Sequence, residues 1–169
     1  MIELKRHIAT VPDFPKPGIL FRDISPLLRN HFPATLQVLE GLLSAAEWNS
    51  IETIAGIESR GFILGAALAA RRGKGFVLVR KQGKLPPPVV DIPYALEYGT
   101  GILEMQPGRG NVLLVDDVLA TGGTMSASAD LCVRAGYQVR ALAVLIDLKL
   151  VTDYRWQDLA IRAAVVYQT

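Results

Sequence analysis

An α/β fold, with a mostly parallel central sheet and helices on both of its faces, is what this 169-residue chain predicts. Two observations carry that expectation. Apolar runs without polar alternation, at 76–79 and 112–115, suit strands covered on both sides. They alternate with segments of helical periodicity in the order β-α-β-loop-β-α-β, which implies parallel strands joined by crossover helices. A content of 50% hydrophobic and 20% charged residues is that of an ordinary folded chain, and the length predicts a single domain, 1–169.

Residues 2–10 predict a short helix, and the proline-punctuated stretch 11–26 predicts a loop without regular structure. Pro33 suits the first turn of a helix that Leu36, Leu39, Leu43 and Ala46 continue to about Trp48. A strand at 51–57 leads through Glu58-Ser59-Arg60-Gly61 into an alanine-rich helix, 62–72, which Gly73 stops. After the strand at 76–79, the segment 80–103 carries Pro86, Pro87, Pro88 and Pro93, which exclude a helix or a central strand. So long an insertion in a short chain predicts a mobile lid. The strand 112–115, a helix at 124–135 stopped by Gly136, a strand at 139–146 and a last strand at 161–167 that closes an edge complete the order.

Composition excludes several classes. A formal charge of +2 with dispersed basic residues and no polybasic arm argues against a nucleic-acid partner. The single cysteine, Cys132, rules out an internal disulfide and suits burial as a small hydrophobe, while His7 and His31 stand alone in sequence, away from any ligand cluster. No apolar run is long enough to span a bilayer and the first residues lack the apolar core of a signal peptide, so the chain is expected in the cytoplasm, off the membrane.

The run 112–125 is the most informative. Asp116 and Asp117 fall where the strand is expected to end, which is the end at which open α/β sheets take ligands. Gly122 and Gly123 let the backbone approach an anion, the following helix offers N–H groups and a favourable dipole to phosphate, and Thr121 and Thr124 add hydroxyls. A phosphate beside two carboxylates would be repelled. The acids therefore suit the two hydroxyls of a ribose, and the glycine-threonine bend suits its 5′-phosphate. No Gly-Lys-Ser/Thr follows and the glycines do not space as G-x-G-x-x-G, so neither the nucleotide P-loop nor the dinucleotide fingerprint applies.

This segment resembles the phosphoribosyl-pyrophosphate (PRPP) loop of the type I phosphoribosyltransferases. Four more segments, residues 14–26, Glu58-Ser59-Arg60-Gly61-Phe62, residues 79–86 and Leu96-Glu97-Tyr98-Gly99, resemble the adenine-using members in order and spacing, over nearly the whole chain. The resemblance implies the type I fold with a flexible lid loop and an N-terminal hood, and purine salvage: transfer of the phosphoribosyl group of PRPP to adenine, giving AMP and pyrophosphate. It further implies a homodimer and Mg²⁺ held by substrate oxygens and water, with no direct protein ligand. Such a transfer needs no protein nucleophile. Carbon 1 of the ribose exchanges pyrophosphate for nitrogen through an oxocarbenium-like state, so positioning and charge stabilisation carry catalysis.

By the same resemblance Asp116 and Asp117 hold the ribose and Ala120, Thr121, Gly122, Gly123 and Thr124 the 5′-phosphate. Glu58, Ser59 and Arg60 form the pyrophosphate loop, joined by Arg80, Lys81 and Lys84. Ile19, Phe21 and Arg22 serve adenine, with Leu148 opposite. Glu97 in the lid does the acid-base work and Tyr98 beside it packs on substrate. The lid is richer in proline than the family pattern, which stiffens it. Two other readings stay open: a PRPP-sensing regulator without turnover, for which the chain has no room for a nucleic-acid-binding domain, and an enzyme of the same fold that uses another base.

Overall fold

The structure, a computed structural model, describes residues 3–95 and 100–167. Pairing between distant segments shapes its N-terminal part. The expected helix at 2–10 is only a 3-10 turn, Leu4–His7, after which β1 (Ala9–Val11) pairs antiparallel with β2 (Phe21–Asp23) from the far end of the proline-rich stretch. Local periodicity carries no sign of this ribbon, because its partners lie about a dozen residues apart and each strand has only three residues.

Helices α1 (Ser25–Asn30), α2 (Phe32–Glu40) and α3 (Ala45–Ser50) follow. The single helix expected from Pro33 to Trp48 is thus two. Ser44 Oγ accepts from the Glu47 N–H at 3.3 Å and Glu47 Oε2 accepts from the Ser44 N–H at 2.8 Å, a reciprocal cap that starts a new helix despite the continuing apolar spacing. The rings of His7 and His31, far apart in sequence, lie with centroids 3.9 Å apart.

The remainder runs β3 (Thr53–Ile57), α4 (Arg60–Arg72), β4 (Gly75–Lys81), β5 (Val90–Ala95), β6 (Thr100–Met105), β7 (Gly110–Leu119), α5 (Gly123–Arg134), β8 (Tyr137–Asp147), β9 (Arg155–Trp156) and β10 (Leu159–Val166). Gly73 ends α4 in the left-handed region, φ 60°, as its position implies. One sheet takes the order β5-β6-β4-β3-β7-β8-β10-β9, in which β4, β3, β7, β8 and β10 are parallel. The α/β architecture expected from sequence, a mostly parallel sheet with helices on both faces, is the one observed.

Two expectations change. The segment 80–103 is not a bare loop: β5 and β6 form an antiparallel arm on β4, with Pro93 on the outermost strand, where a missing N–H is tolerated. The last strand does not close the sheet either, since the two-residue β9 pairs outside β10.

Successive residues of β7 face opposite layers, as the pleat requires. Leu113 and Val115 pack with Leu36, Leu39, Leu64 and Leu68 from α2 and α4, whereas Val112 and Leu114 pack with Met125, Leu131 and Cys132 from α5. Burial pushes the Cys132 thiol up to about 12, so it behaves as a small apolar side chain.

Candidate active site

Neighbouring parallel strands part at the centre of the sheet. β3 and β7 pair from Thr53↔Val112 to Gly56↔Val115, whereas β7 and β8 stay paired as far as Leu119↔Asp147. Because β3 passes the chain to α4 and β4 on one side and β7 passes it to α5 and β8 on the other, the crevice beyond Val115 is a topological switch point. A cavity of about 570 Å³ fills it. Asp116 and Asp117 are expected at the end of their strand; β8 carries that strand on to Leu119, and the acids sit inside it, on the stretch that β3 has left.

Both acids line the cavity. Asp117 is 5% exposed, and its Oδ2 lies 2.7 Å from Arg60 Nε, a charge contact without the alignment of a hydrogen bond. The Asp117 N–H donates to Asp116 Oδ1 at 2.8 Å. Burial raises both carboxyls above the usual range; the neighbouring Asp117 charge adds to the rise at Asp116, and Arg60 offsets part of it at Asp117. Asp117 Oδ2, buried without a hydrogen-bond donor beside the second carboxylate, suits a vicinal diol, which brings two donors.

The Arg60 guanidinium also lies 4.8 Å from the centroid of the Phe21 ring, so one cation joins the hood to the acid pair. Gly61 makes this approach possible. A Cβ there would stand 2.9 Å from the Val115 carbonyl oxygen and 3.0 Å from Asp116 Oδ1, so the first turn of α4 can press on β7 only without a side chain. Glu58 and Ser59, joined by a cis peptide, line the same wall.

The three cations at and just beyond the end of β4 divide. Lys81 lines the cavity. Arg80 Nε and Lys84 Nζ instead meet Glu58 at 3.4 and 2.7 Å, and the Lys81 N–H donates to Glu58 Oε2 at 3.0 Å. Burial alone would raise the Glu58 carboxyl, but Lys84, the Lys81 amide and Arg80 outweigh it and hold the group below its ordinary value. Glu104, 3% exposed on β6, accepts from the N–H groups of Gly83, Lys84 and Leu85 at 3.0, 2.7 and 2.7 Å and so fixes the turn that presents these cations.

Ala120, Thr121, Gly122 and Thr124 line the cavity, and Gly123 opens α5 behind them. Gly122 has φ 84°. The bond from the Ser126 N–H to the Gly122 carbonyl, 2.9 Å, closes the first turn, so the amides of 123–125 are the free donors of the helix terminus.

Of the hood residues Phe21 lines the cavity, with the Phe14 ring edge-on at 5.1 Å. Ile19, Arg22 and Leu148 are not among its lining. The Ile19 carbonyl accepts from the Phe14 N–H at 3.3 Å, the Arg22 guanidinium lies 4.1 Å from the Tyr167 ring centroid, and the Leu148 N–H donates to the Leu119 carbonyl at 3.1 Å. Glu97 and Tyr98 lie outside the described residues. The arm that leads to them reaches the phosphate bend: a Cβ on Gly123 would stand 3.9 Å from the Ala95 carbonyl oxygen.

Tyr94, Val118, Leu119 and Met125 also line the cavity, unanticipated from sequence. For Tyr94 a signal exists in the alternating exposure of β5 after its prolines, and Gly101 opposite leaves room for its ring: a Cβ there would meet Tyr94 Cε1 at 2.6 Å. Among the described residues no three metal-ligating side chains gather.

Known proteins share this arrangement. Residues 33–163 match the phosphoribosyl transferase domain model. The adenine phosphoribosyltransferase of Bdellovibrio bacteriovorus is 52% identical across 98% of this chain and 100% of its own. Among solved structures, adenine phosphoribosyltransferase from Thermoanaerobacter pseudethanolicus superposes with TM-score 0.88 at 40% identity, covering 98% of both chains. The Saccharomyces cerevisiae enzyme, complexed with an imino-altritol bisphosphate and adenine, gives 0.89 at 34% identity over 96% of both.

Proposed function

The chain belongs to the adenine phosphoribosyltransferases, purine-salvage enzymes that transfer the phosphoribosyl group of PRPP to adenine, and we propose that the cavity beyond Val115 performs this transfer. The observation that carries the reading is the placing, in one crevice, of two adjacent carboxylates, one with a buried oxygen that no hydrogen-bond donor meets, and a free helix N-terminus a few residues on along one strand-turn-helix. Asp116 and Asp117 take the ribose hydroxyls, and the 120–124 bend takes the 5′-phosphate.

Arg60 must then change partners. In the structure it holds Asp117 and lies over Phe21; pyrophosphate, the stronger anion, would draw the guanidinium away and leave the acid to ribose and the ring to adenine. Ser59 and Lys81 face the same anion, while Arg80 and Lys84 lend positive potential from their contacts with Glu58. As the bond from carbon 1 to pyrophosphate breaks and the bond to the adenine nitrogen forms, Glu97 receives the proton that nitrogen sheds. An Mg²⁺ brought in on substrate oxygens and water would, when bound, neutralise charge on the leaving pyrophosphate.

We also read the chain as a homodimer, in keeping with Phe14 and Leu20 exposed on the hood, 50% and 56%, which sedimentation at graded concentrations checks. The cytoplasm is the compartment implied, since so highly charged a sugar phosphate does not cross a bilayer unaided.

Incubating adenine, hypoxanthine and guanine separately with PRPP and Mg²⁺ and separating the nucleotides tests the reaction. AMP is the expected product, with the oxopurines poor substrates. Two variants test the assignments: Asp117→Asn raises the KM for PRPP about tenfold or more through lost charged acceptors, and Glu97→Gln lowers turnover with AMP binding largely kept. Normal PRPP use in the first, or a normal rate in the second, removes that residue from its role.

A further inference from the structure

We propose that Tyr154, which does not touch the cavity, is a positioning residue for the 5′-phosphate, acting from the segment between β8 and β10 on the turn that starts α5. The proposal rests on the assignment of residues 120–124 to that phosphate. Tyr154 is 7% exposed and packs its ring against Gly122: a Cβ added there would fall 2.3 and 2.6 Å from Tyr154 Cε2 and Cδ2. Its ring therefore covers the residue whose left-handed backbone, φ 84°, turns the chain into the helix.

The hydroxyl works on the same turn. It lies 3.4 Å from the Gly122 carbonyl oxygen, the acceptor that closes the first turn of α5, and 2.7 Å from Ser126 Oγ. With the Tyr154 hydroxyl donating to Gly122, the Ser126 hydroxyl is left to donate to Tyr154, and all three groups are satisfied. One helical turn further along, Trp156 Nε1 donates to Asp130 Oδ1 at 2.8 Å. Tyr154 and Trp156, two apart in extended chain, thus grip Ser126 and Asp130, four apart on one face of α5. None of the four lines the cavity. Their influence passes through the orientation of the amides of 123–125, held ready before the phosphate arrives, which reduces the ordering that binding requires.

PRPP and AMP carry the 5′-phosphate and adenine does not, so the signature is selective. Tyr154→Phe and Ser126→Ala, which each remove one hydroxyl and little volume, are expected to raise the KM for PRPP and the inhibition constant of AMP about three- to tenfold. Adenine KM and kcat stay within about twofold, and the double variant is no worse than either single one, because both break the same relay. An unchanged PRPP KM in Tyr154→Phe, additive effects, or an equal rise in adenine KM overturns the proposal. Thr121→Val, a direct lesion of the bend, separates the two claims. If it raises the PRPP KM while Tyr154→Phe does not, the buttress fails and the phosphate assignment stands; if neither moves, both fall.

Discussion

Asp116, proposed to take a ribose hydroxyl, works against the fold that holds it. Burial, and then the charge of Asp117, push its carboxyl well above the usual range. A carboxyl whose folded-state pKa exceeds its unfolded one opposes folding once ionised. Between the ordinary carboxylate range and the raised value the folded chain binds more protons than the unfolded one, so stability grows as pH falls through that window, and the penalty is complete above it. Asp116→Asn removes the charge and keeps an oxygen to accept from the Asp117 N–H. The expected result is a variant that melts about 2–4 °C higher than the parent at about pH 8, by a gain that shrinks on acidification, yet uses PRPP poorly. Thermal melts at about pH 8 and about pH 5 on protein without added ligand decide it; a variant no more stable than the parent under alkaline conditions would show that the acid carries no such strain.

Elements built by local chemistry were legible and those built by distant pairing were not. Gly73 and Gly136 marked the ends of α4 and α5 because a left-handed residue after a helix has a local signature. The β1–β2 ribbon and the β5–β6 arm depend on partners that periodicity cannot see, and the Ser44 cap divided a helix that apolar spacing alone had joined. In the site, the acids and the bend were readable since they are contiguous, whereas the diversion of Arg80 and Lys84 onto Glu58 arises only when β3 and β4 lie side by side. Glu104 binds this second group to the arm. Burial alone would raise its carboxyl, but the three amides of Gly83, Lys84 and Leu85 outweigh it and hold it below the ordinary value. Its stabilising share is therefore present above the usual glutamate range and lost as pH falls through the depressed value. Glu104→Gln halves the acceptors and puts a donor among donors, a loss of about 1.5–3 kcal/mol, or roughly 3–10 °C in Tm, and is expected to weaken pyrophosphate in the reverse reaction. A Tm within about 1 °C of the parent would show that the turn holds without it.

Across the whole molecule the site joins regions that the sequence keeps far apart: hood, pyrophosphate loop, arm and phosphate bend meet where β3 and β7 diverge. A ligand that touches all of them should act as a clamp, and the two substrates differ in this respect. On the proposed assignment PRPP reaches the acids, the bend and the cations of the β3 and β4 side. On the same assignment adenine meets Phe21, over whose ring the Arg60 guanidinium lies. A ligand at a hundredfold excess over its Kd stabilises the folded state by about 2.7 kcal/mol, and in a chain of this size that corresponds to roughly 5–10 °C. PRPP with Mg²⁺ is expected to produce a shift of that size, and adenine alone at the same concentration less than about 2 °C. Adding pyrophosphate, which draws Arg60 off Phe21 and Asp117, should then let adenine raise the melting temperature further. Should adenine alone stabilise the protein as strongly as PRPP, the Arg60 contact does not guard the base site and the exchange of partners at Asp117 is not part of how this cavity fills.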